Sequence, residues 1–444
     1  MRFLLPAIVA LLVLPAAAQA RWEPVTDAGA SNTDEVGLAR TPDGRLHVAW
    51  RRQPDATSYE LNHTIISPGG VVDGGGQLLA QGWAGIGSPT LVRTASGQLQ
   101  LYAAAQRSID AADPIQSLAR WTSDDDGDSW ELTPGDVATG AGFADPVGGA
   151  VGADGATPYV AWGTTYGLFV HRGADPSTPA ANLQGADCCG YEPSLALSGS
   201  VLDAAWYSNA SGREGVWAQA IDQATGAPSG SAMRMPGTAD SVAPDQRIGL
   251  AATASGVFAA YPGGGPGART LLVWRVGAGA KTVAKDVEGL RVPAISTTPD
   301  GRLWVTWTAR GRVFARRSDR TDTRWGATTS IPVLPGTATV YKLAANAQAG
   351  VLDVLAGFEP TGGRGVQTFY SRLRPGLSLA ARRAHGKVEL TVTDAGDPVA
   401  GARVTLAGRH GVTDAAGTAT ITTRHSGRAS ATKAGYVRAT SRVR

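Results

Sequence analysis

The chain has 444 residues, with 40 Lys/Arg against 37 Asp/Glu for a formal net charge of +3, and it contains 58 Gly, 12 Trp and only 2 Cys. Two cysteines are too few for a thiolate zinc site, and a near-balanced charge argues against nucleic-acid binding, which depends on phosphate neutralisation. Many turn residues with aromatic, alternating segments point to an all-β protein.

Residues 1–20 read as a secretory signal peptide. Arg2 gives a charged start, residues 3–14 a short apolar run, and Ala18-Gln19-Ala20 a small-residue cleavage site. The run is too short to span a bilayer, and no later segment is apolar enough to do so. The expectation is a secreted or periplasmic protein with no membrane span, acting as a monomer.

From residue 21 a strand–turn–strand unit recurs. It is clearest at 291–307, where an apolar strand, the turn Pro299-Asp300-Gly301 and a second strand ending at Trp307 follow one another. Seven copies lie at 36–50, 89–102, 146–162, 193–206, 247–261, 293–307 and 341–356. Each is followed by a third alternating strand, at 59–65, 116–122, 167–172, 215–221, 270–276, 312–318 and 365–374, and usually by a weaker fourth. Residues 21–375 divided among seven units give about 51 residues each, the length a four-stranded propeller blade needs. The reading is a seven-bladed β-propeller over 21–375, with six blades as the alternative. An open ring would expose sheet edges, and the seventh unit lacks a fourth strand before Pro375. The segment 21–27 is therefore expected to supply it. Trp50, Trp162, Trp206 and Trp307 recur at one position of the unit and are expected in the core.

Past residue 375 the pattern changes. Residues 376–385 read as a linker, and 386–444 as a small β-sandwich of short strands between Gly and Asp turns. This tail is basic. From Gly376 onward there are 11 Lys/Arg against 4 Asp/Glu, a difference of +7 that leaves −4 for the rest of the chain.

The run Ser123-Asp-Asp-Asp-Gly-Asp-Ser-Trp130 fits the Ser-x-Asp-x-Gly-x-Ser-Trp pattern of the Asp-box, with Ser123, Asp125, Gly127, Ser129 and Trp130 at its defining positions. A degenerate trace lies at 318–325. On these residues the chain resembles the sialidase-like, Asp-box (BNR) propeller superfamily. The resemblance implies a propeller whose Asp-box closes the hairpin between third and fourth strands. Asp125 would bond turn amides, Gly127 would allow positive φ and Trp130 would cover the hairpin. The C-terminal runs 397–404 and 413–419, with Lys433-Ala-Gly-Tyr436, look like the carboxypeptidase-regulatory-like (transthyretin-like) accessory module. That likeness implies a non-catalytic attachment unit, with a cell surface as the partner for its basic face.

In a propeller, the loops leading into the inner strands and those between second and third strands gather at one mouth of the channel, where ligands bind. Residues just before the inner strands are Glu35, Ser88, Asp145, Glu192, Gln246, Val292 and Val340, flanked by Tyr191, Asp245, Arg247, Arg291 and Tyr341; Arg51, Arg52, Arg107, Tyr166, Tyr207 and Arg310 approach from the other loops. Glu35, Arg247, Arg291, Tyr341 and Arg310 are the candidate ligand-binding residues. Tyr191 beside Glu192, with Asp145, is the candidate catalytic set if the protein is a glycoside hydrolase. The resemblance supplies that reading through the carboxylate-assisted tyrosine nucleophile of sialidases. Their first-blade arginine has no counterpart in Asp34-Glu-Val-Gly-Leu38, so the arginine triad does not transfer.

The adjacent Cys188 and Cys189 are expected to form a vicinal disulfide in an oxidising compartment, with free thiols or intermolecular bonds as the alternatives. A stiffened turn there would fix the Tyr191-Glu192 pair. The six histidines are scattered in sequence without metal-ligand spacing, and no metal or cofactor is expected. The leading function is recognition of a glycan or other extracellular polymer at the propeller mouth, without catalysis. The alternative is a glycoside hydrolase of the sialidase-like superfamily.

Overall fold

The computed structural model describes residues 21–26, 33–108, 116–139, 146–164, 167–183, 190–239, 246–264, 267, 269–362 and 365–443. Asp145, Tyr166, Cys188, Cys189 and Asp245 lie outside the described residues.

Among the described residues, 21–376 form seven antiparallel sheets, six with their strands in sequence order and the seventh completed by an N-terminal strand. The first blade runs Val36–Arg40, Leu46–Arg52, Tyr59–Ile66 and Gln77–Trp83. The inner strands of the other six are Thr90–Arg93, Val147–Val151, Gly190–Ser198, Gly249–Thr253, Arg291–Thr297 and Thr337–Asn346. Neighbouring inner strands touch in sequence, and the seventh returns to touch the first, which makes the sheets the blades of a β-propeller. The second strands are the most apolar. Leu303–Ala309, for example, is buried along its whole length, because these strands are covered by a blade on either side.

The ring closes where the sequence suggested. Glu23–Pro24 pairs with Phe369 and Tyr370 on the third strand of the seventh blade, giving that sheet its fourth strand. Trp22 fixes this closure. Its indole N–H donates to the Pro332 carbonyl of the sixth blade at 2.8 Å, and its ring meets Phe358 edge-on at 4.8 Å between centroids. Trp50, Trp162, Trp206 and Trp307 are all buried, as their recurrence implied.

Tight contact between blades depends on glycine at one place in particular. A Cβ on Gly148 would lie 2.6 Å from the Pro193 carbonyl oxygen, and one on Gly149 would lie 2.8 Å from Thr90. The third inner strand therefore reaches both neighbours only without side chains at these two positions.

On the face opposite the mouth, the hairpin of one blade grips the blade before it. In the second blade, Asp125 accepts from the Ser129 amide at 2.9 Å and Ser123 Oγ accepts from the Gly127 amide at 2.8 Å. Gly127 has φ +85, and a Cβ there would stand 2.5 Å from His47 Nδ1 of the first blade. The sequence reading left the histidines scattered, yet register brings two together. His47 and His63 lie on adjacent strands with Ala49 opposite His63, and their rings stack with Nδ1 of His47 3.1 Å from Nε2 of His63. Trp130 donates its N–H to His63 Nδ1 at 3.3 Å, which leaves the His63 proton on Nε2, facing His47. Burial is the main cause holding both below the usual histidine range, His47 to about 4 and His63 to about 3. The pair is neutral and structural. The hairpin at 318–325 does the same for the sixth blade, where Asp322 Oδ2 accepts from Ser255 of the fifth at 2.9 Å.

The remaining strands form two further sheets. One contains Ser378–Ala384, Lys387–Asp394, Asp397–Pro398 and Thr418–Thr422. The other contains Arg409–Val412, Arg403–Leu406, Gly427–Thr432 and Ala439–Val443. Their inward residues, including Leu390, Val404, Ala431 and Val443, share one apolar cluster. The stretch 376–385, read from sequence as a linker, carries the strand Ser378–Ala384, which pairs along its length with 387–393. These sheets are held to the sixth blade by buried ions. Asp394 contacts Arg317 and also lies 3.3 Å from Arg302, while Asp397 lies 2.7 Å from Arg302.

Trp22→Ala should lower stability by about 3–5 kcal/mol, the usual cost of emptying a buried tryptophan site. The check is a thermal or urea melt. An unchanged midpoint would mean that the N-terminal segment does not seal the ring.

Candidate functional site

At the mouth, the segment before the fifth inner strand acts as a hub. The Gln246 side chain donates to the Pro293 carbonyl of the sixth blade at 3.0 Å and accepts from the Leu343 amide of the seventh at 2.9 Å. The Arg247 amide donates to Glu35 Oε1 of the first blade at 2.7 Å, and its guanidinium donates to the Pro89 carbonyl of the second at 2.6 Å. The Ile248 amide donates to the Glu192 carbonyl of the fourth at 3.0 Å. Three consecutive residues thus bond to five other blades, and the first and fifth are linked across the axis.

Around this hub sits a cluster of charges. Asp34 pairs with Arg51 and, at 2.8 Å, with Lys342 Nζ. Glu35 Oε2 lies 3.6 Å from the Arg247 guanidinium. Burial pushes the Glu35 carboxyl up to about 7, against the pull of Arg247 and Lys342. Burial acts on Asp34 in the same direction, but Lys342 and Arg51 outweigh it and hold that carboxyl below its ordinary value. Burial alone would lower Lys342; Glu35 and Asp34 reverse this and raise it, with a further contribution from Glu192. Near neutrality the cluster therefore holds three cations against one firmly ionised carboxylate, Asp34, and one half-titrated carboxyl, Glu35.

The recess at this point is very small, about 10 Å³ or roughly room for a single water, and is lined by Asp34, Glu35, Val36, Lys342, Leu343 and Thr368 among others. Sites that enclose a small-molecule ligand usually run from about 300 to 1,000 Å³. With Arg247 and Glu35 meeting across the axis, the channel is stoppered here.

Backbone irregularity concentrates at the same rim. Register shifts fall between Tyr191 and Ser194, between Arg291 and Ala294, and between Val340 and Lys342, at the starts of the fourth, sixth and seventh inner strands. Glu192 has φ +56 and Val292 φ +40. A β-branched residue at positive φ is strained, and bulges of this kind re-aim side chains beside functional sites. The bulge in the seventh blade carries Lys342 to Asp34. Residue counting from the sequence pointed instead to Val340 and Tyr341, and so missed Lys342. The available signal was a lysine as the one charged residue of the inner strand Thr337–Asn346.

Of the candidates named from sequence, the structure brings Glu35 and Arg247 into contact and sets Glu192 within electrostatic reach of Lys342. Tyr191 and Tyr341 are 42% and 41% exposed, large aromatic side chains left open to solvent beside the cluster. Arg291 is exposed on the sixth blade. Arg310, in the loop after Leu303–Ala309, pairs loosely with Glu288 at 3.8 Å, both exposed. Arg310 therefore stands apart from the central cluster. Ser88 is buried at the mouth, while Val292 and Val340 pack into the apolar core. Among the described residues, no group of three or more His, Cys, Asp or Glu is arranged to hold a metal ion.

No protein-family model matches the chain, and no curated protein matches it. Solved structures do. A streptogramin B lyase is 10% identical with a TM-score of 0.50, over 80% of this chain and 98% of that one. A catalytically inactive virginiamycin B lyase from Staphylococcus aureus with quinupristin is 12% identical with a TM-score of 0.50, over 80% and 99%. A Hadza microbial sialidase is 13% identical with a TM-score of 0.48, over 79% and 68%. At such identities the likeness shows the propeller fold alone.

Replacing Glu35 by Gln tests the buried carboxyl. A group whose folded pKa is about 7, raised from 4.5, contributes stability that is complete below pH 4.5 and lost as pH rises through 7. Glu35→Gln should therefore flatten the fall in unfolding free energy between about pH 5 and about pH 8. An unaltered slope in urea titrations would show that Glu35 is ionised throughout.

Proposed function

We propose that the chain is an exported propeller protein that recognises a glycan or other extracellular polymer across the mouth of its ring, without turning it over. The observation that carries this reading is the pair of exposed tyrosines, Tyr191 and Tyr341, beside a charged floor. They come from the fourth and seventh blades, as far apart as a seven-membered ring allows. Aromatic faces on opposite sides of a polar depression suit an extended chain with both apolar and hydroxylated surfaces. The stoppered channel supports a ligand lying over the ring. The fold is shared with lyases and glycosidases and does not itself choose between binding and catalysis.

The protein is expected to work as a monomer outside the cytoplasm, after loss of residues 1–20. The strands beyond residue 376 serve as a non-catalytic, transthyretin-like attachment unit whose basic surface meets the cell surface. The second reading, a sialidase-like glycoside hydrolase, draws on the Glu35 carboxyl. Held near 7 by burial, it has the protonation behaviour of a general acid. In that reading Tyr191 and Glu192, with Asp145, make the reacting set.

The two readings separate in one experiment. The purified protein is screened on a glycan array and against chromogenic glycosides, alongside Tyr191→Ala, Tyr341→Ala, Glu192→Gln and Asp145→Asn. Recognition predicts array binding that either tyrosine variant weakens, with no turnover. Turnover lost in Glu192→Gln or Asp145→Asn would overturn it in favour of the hydrolase.

A further inference from the structure

The outward face of one C-terminal sheet holds arginines that the fold does not explain. In the sheet of Arg409–Val412, Arg403–Leu406, Gly427–Thr432 and Ala439–Val443, the inward residues Val404, Leu406, Ala429, Ala431, Ala439 and Val443 fill the apolar cluster. Alternation along each strand then turns Arg403, Arg428 and Arg442 outward, and all three are exposed. Arg428 and Arg442 stand directly opposite each other on neighbouring strands. Like charges in that position destabilise a sheet. No ion pair to either residue or to Arg403 is present among the described residues.

The carboxylates that could have balanced them are committed elsewhere. Of the four in residues 376–444, Asp394 and Asp397 bind the arginines of the sixth blade. Asp414 accepts from the Ala416 and Thr418 amides of its own turn. Glu389 lies on the other sheet, opposite Arg382. Docking against the ring therefore uses up acidic groups and leaves this face positive.

Between the arginines runs a row of polar side chains, His410, Thr405, Ser430 and Thr440, in register across all four strands. Arg428 donates to Thr440 Oγ1 at 3.0 Å, which lays its guanidinium along the row. Arg403 pairs with Thr432, four residues along the strand from Arg428, so the two charged ends are separated by about 13 Å. The Arg428–Arg442 end is remote from the turn whose Tyr436 meets Arg317 of the ring, and so points away from the propeller.

We propose that this face binds an acidic polysaccharide, with Arg428 and Arg442 clamping one anionic group, Arg403 engaging a second, and the hydroxyls of Thr405 and Thr440 bonding the sugar between them. An anion shared by two facing guanidiniums turns their repulsion into paired, charge-assisted hydrogen bonds. The face has no Phe, Tyr or Trp for stacking bases, and its one imidazole, His410, is bonded to Thr405, which disfavours single-stranded nucleic acid. Val412 is its one apolar side chain, too little to enter a bilayer interface. The site is separate from the propeller mouth, and the proposal holds whether or not the mouth binds a polymer.

The test uses the full chain and immobilised polygalacturonate, with dextran as the neutral control and oligothymidylate and phosphatidylglycerol vesicles as competing polyanions. Wild type should bind polygalacturonate and not dextran, with affinity falling as salt rises. Arg428→Gln with Arg442→Gln should weaken binding about tenfold or more. Arg382→Gln with Lys387→Gln on the opposite sheet should leave it unchanged, as should Tyr191→Ala with Tyr341→Ala at the mouth. The Arg428/Arg442 variant should melt no lower than wild type, since it removes a repulsion. Equal losses in the two charge variants, a lowered melting temperature, or tighter binding to oligothymidylate or vesicles would each overturn the proposal.

Discussion

The contact of Glu35 with Arg247 across the axis of the ring, its Oε1 accepting from the Arg247 amide and its Oε2 lying 3.6 Å from the guanidinium, is the one on which the mouth depends. A propeller holds its blades together mainly by apolar packing between neighbours, which fixes each blade against the next but not against the one opposite. Here Gln246, Arg247 and Ile248 add polar bonds to five other blades, and each satisfies a backbone group that the narrow channel would otherwise strand. The centre is a bonded plug. Its cost is a buried carboxyl, and the environment meets that cost by bringing Glu35 close to half-protonation at neutral pH.

This plug gives the mouth its character. Asp34, Arg51 and Lys342 complete a charge network that is almost closed on itself, so its ions orient the rim more than they attract a distant ligand. The strained backbone at Glu192 and Val292 is held by the same surroundings. Strain of this kind persists only where neighbouring structure over-determines it, and it gathers where side chains must be aimed. The exposed tyrosines on the rim are then held on a stiff base. Under the proposed recognition reading, little conformational freedom would then remain to be lost when a ligand settles.

Much of this was legible in the sequence. The strand units were readable because alternation has a period of two and six of the seven units end on a large aromatic, as at Trp206 and Trp307. Ring closure by the N-terminus followed from counting strands, since the seventh unit was one short. Other features depend on relations that sequence spacing does not encode. Lys342 reaches the cluster only through a bulge, which shifts which face a residue occupies. His47 and His63 are sixteen residues apart and meet because two adjacent strands set them in register. Ser378–Ala384 was hidden by its weak alternation, Ser-Leu-Ala-Ala-Arg-Arg-Ala, and by two arginines that read as linker. Arg247 was named as a candidate, but its reach to the first and second blades could be seen only once the ring had closed.

The most direct test of the plug is a double-mutant cycle between Glu35→Gln and Arg247→Met, read from urea unfolding at neutral pH; both variants keep the amide bond, so the cycle isolates the carboxylate–guanidinium contact across the axis. If the contact across the axis holds the mouth together, the two changes should couple by more than roughly 1 kcal/mol, as groups sharing one bonded network do. Effects that simply add, within about 0.5 kcal/mol, would show that the two residues act independently and that the mouth is not organised around them.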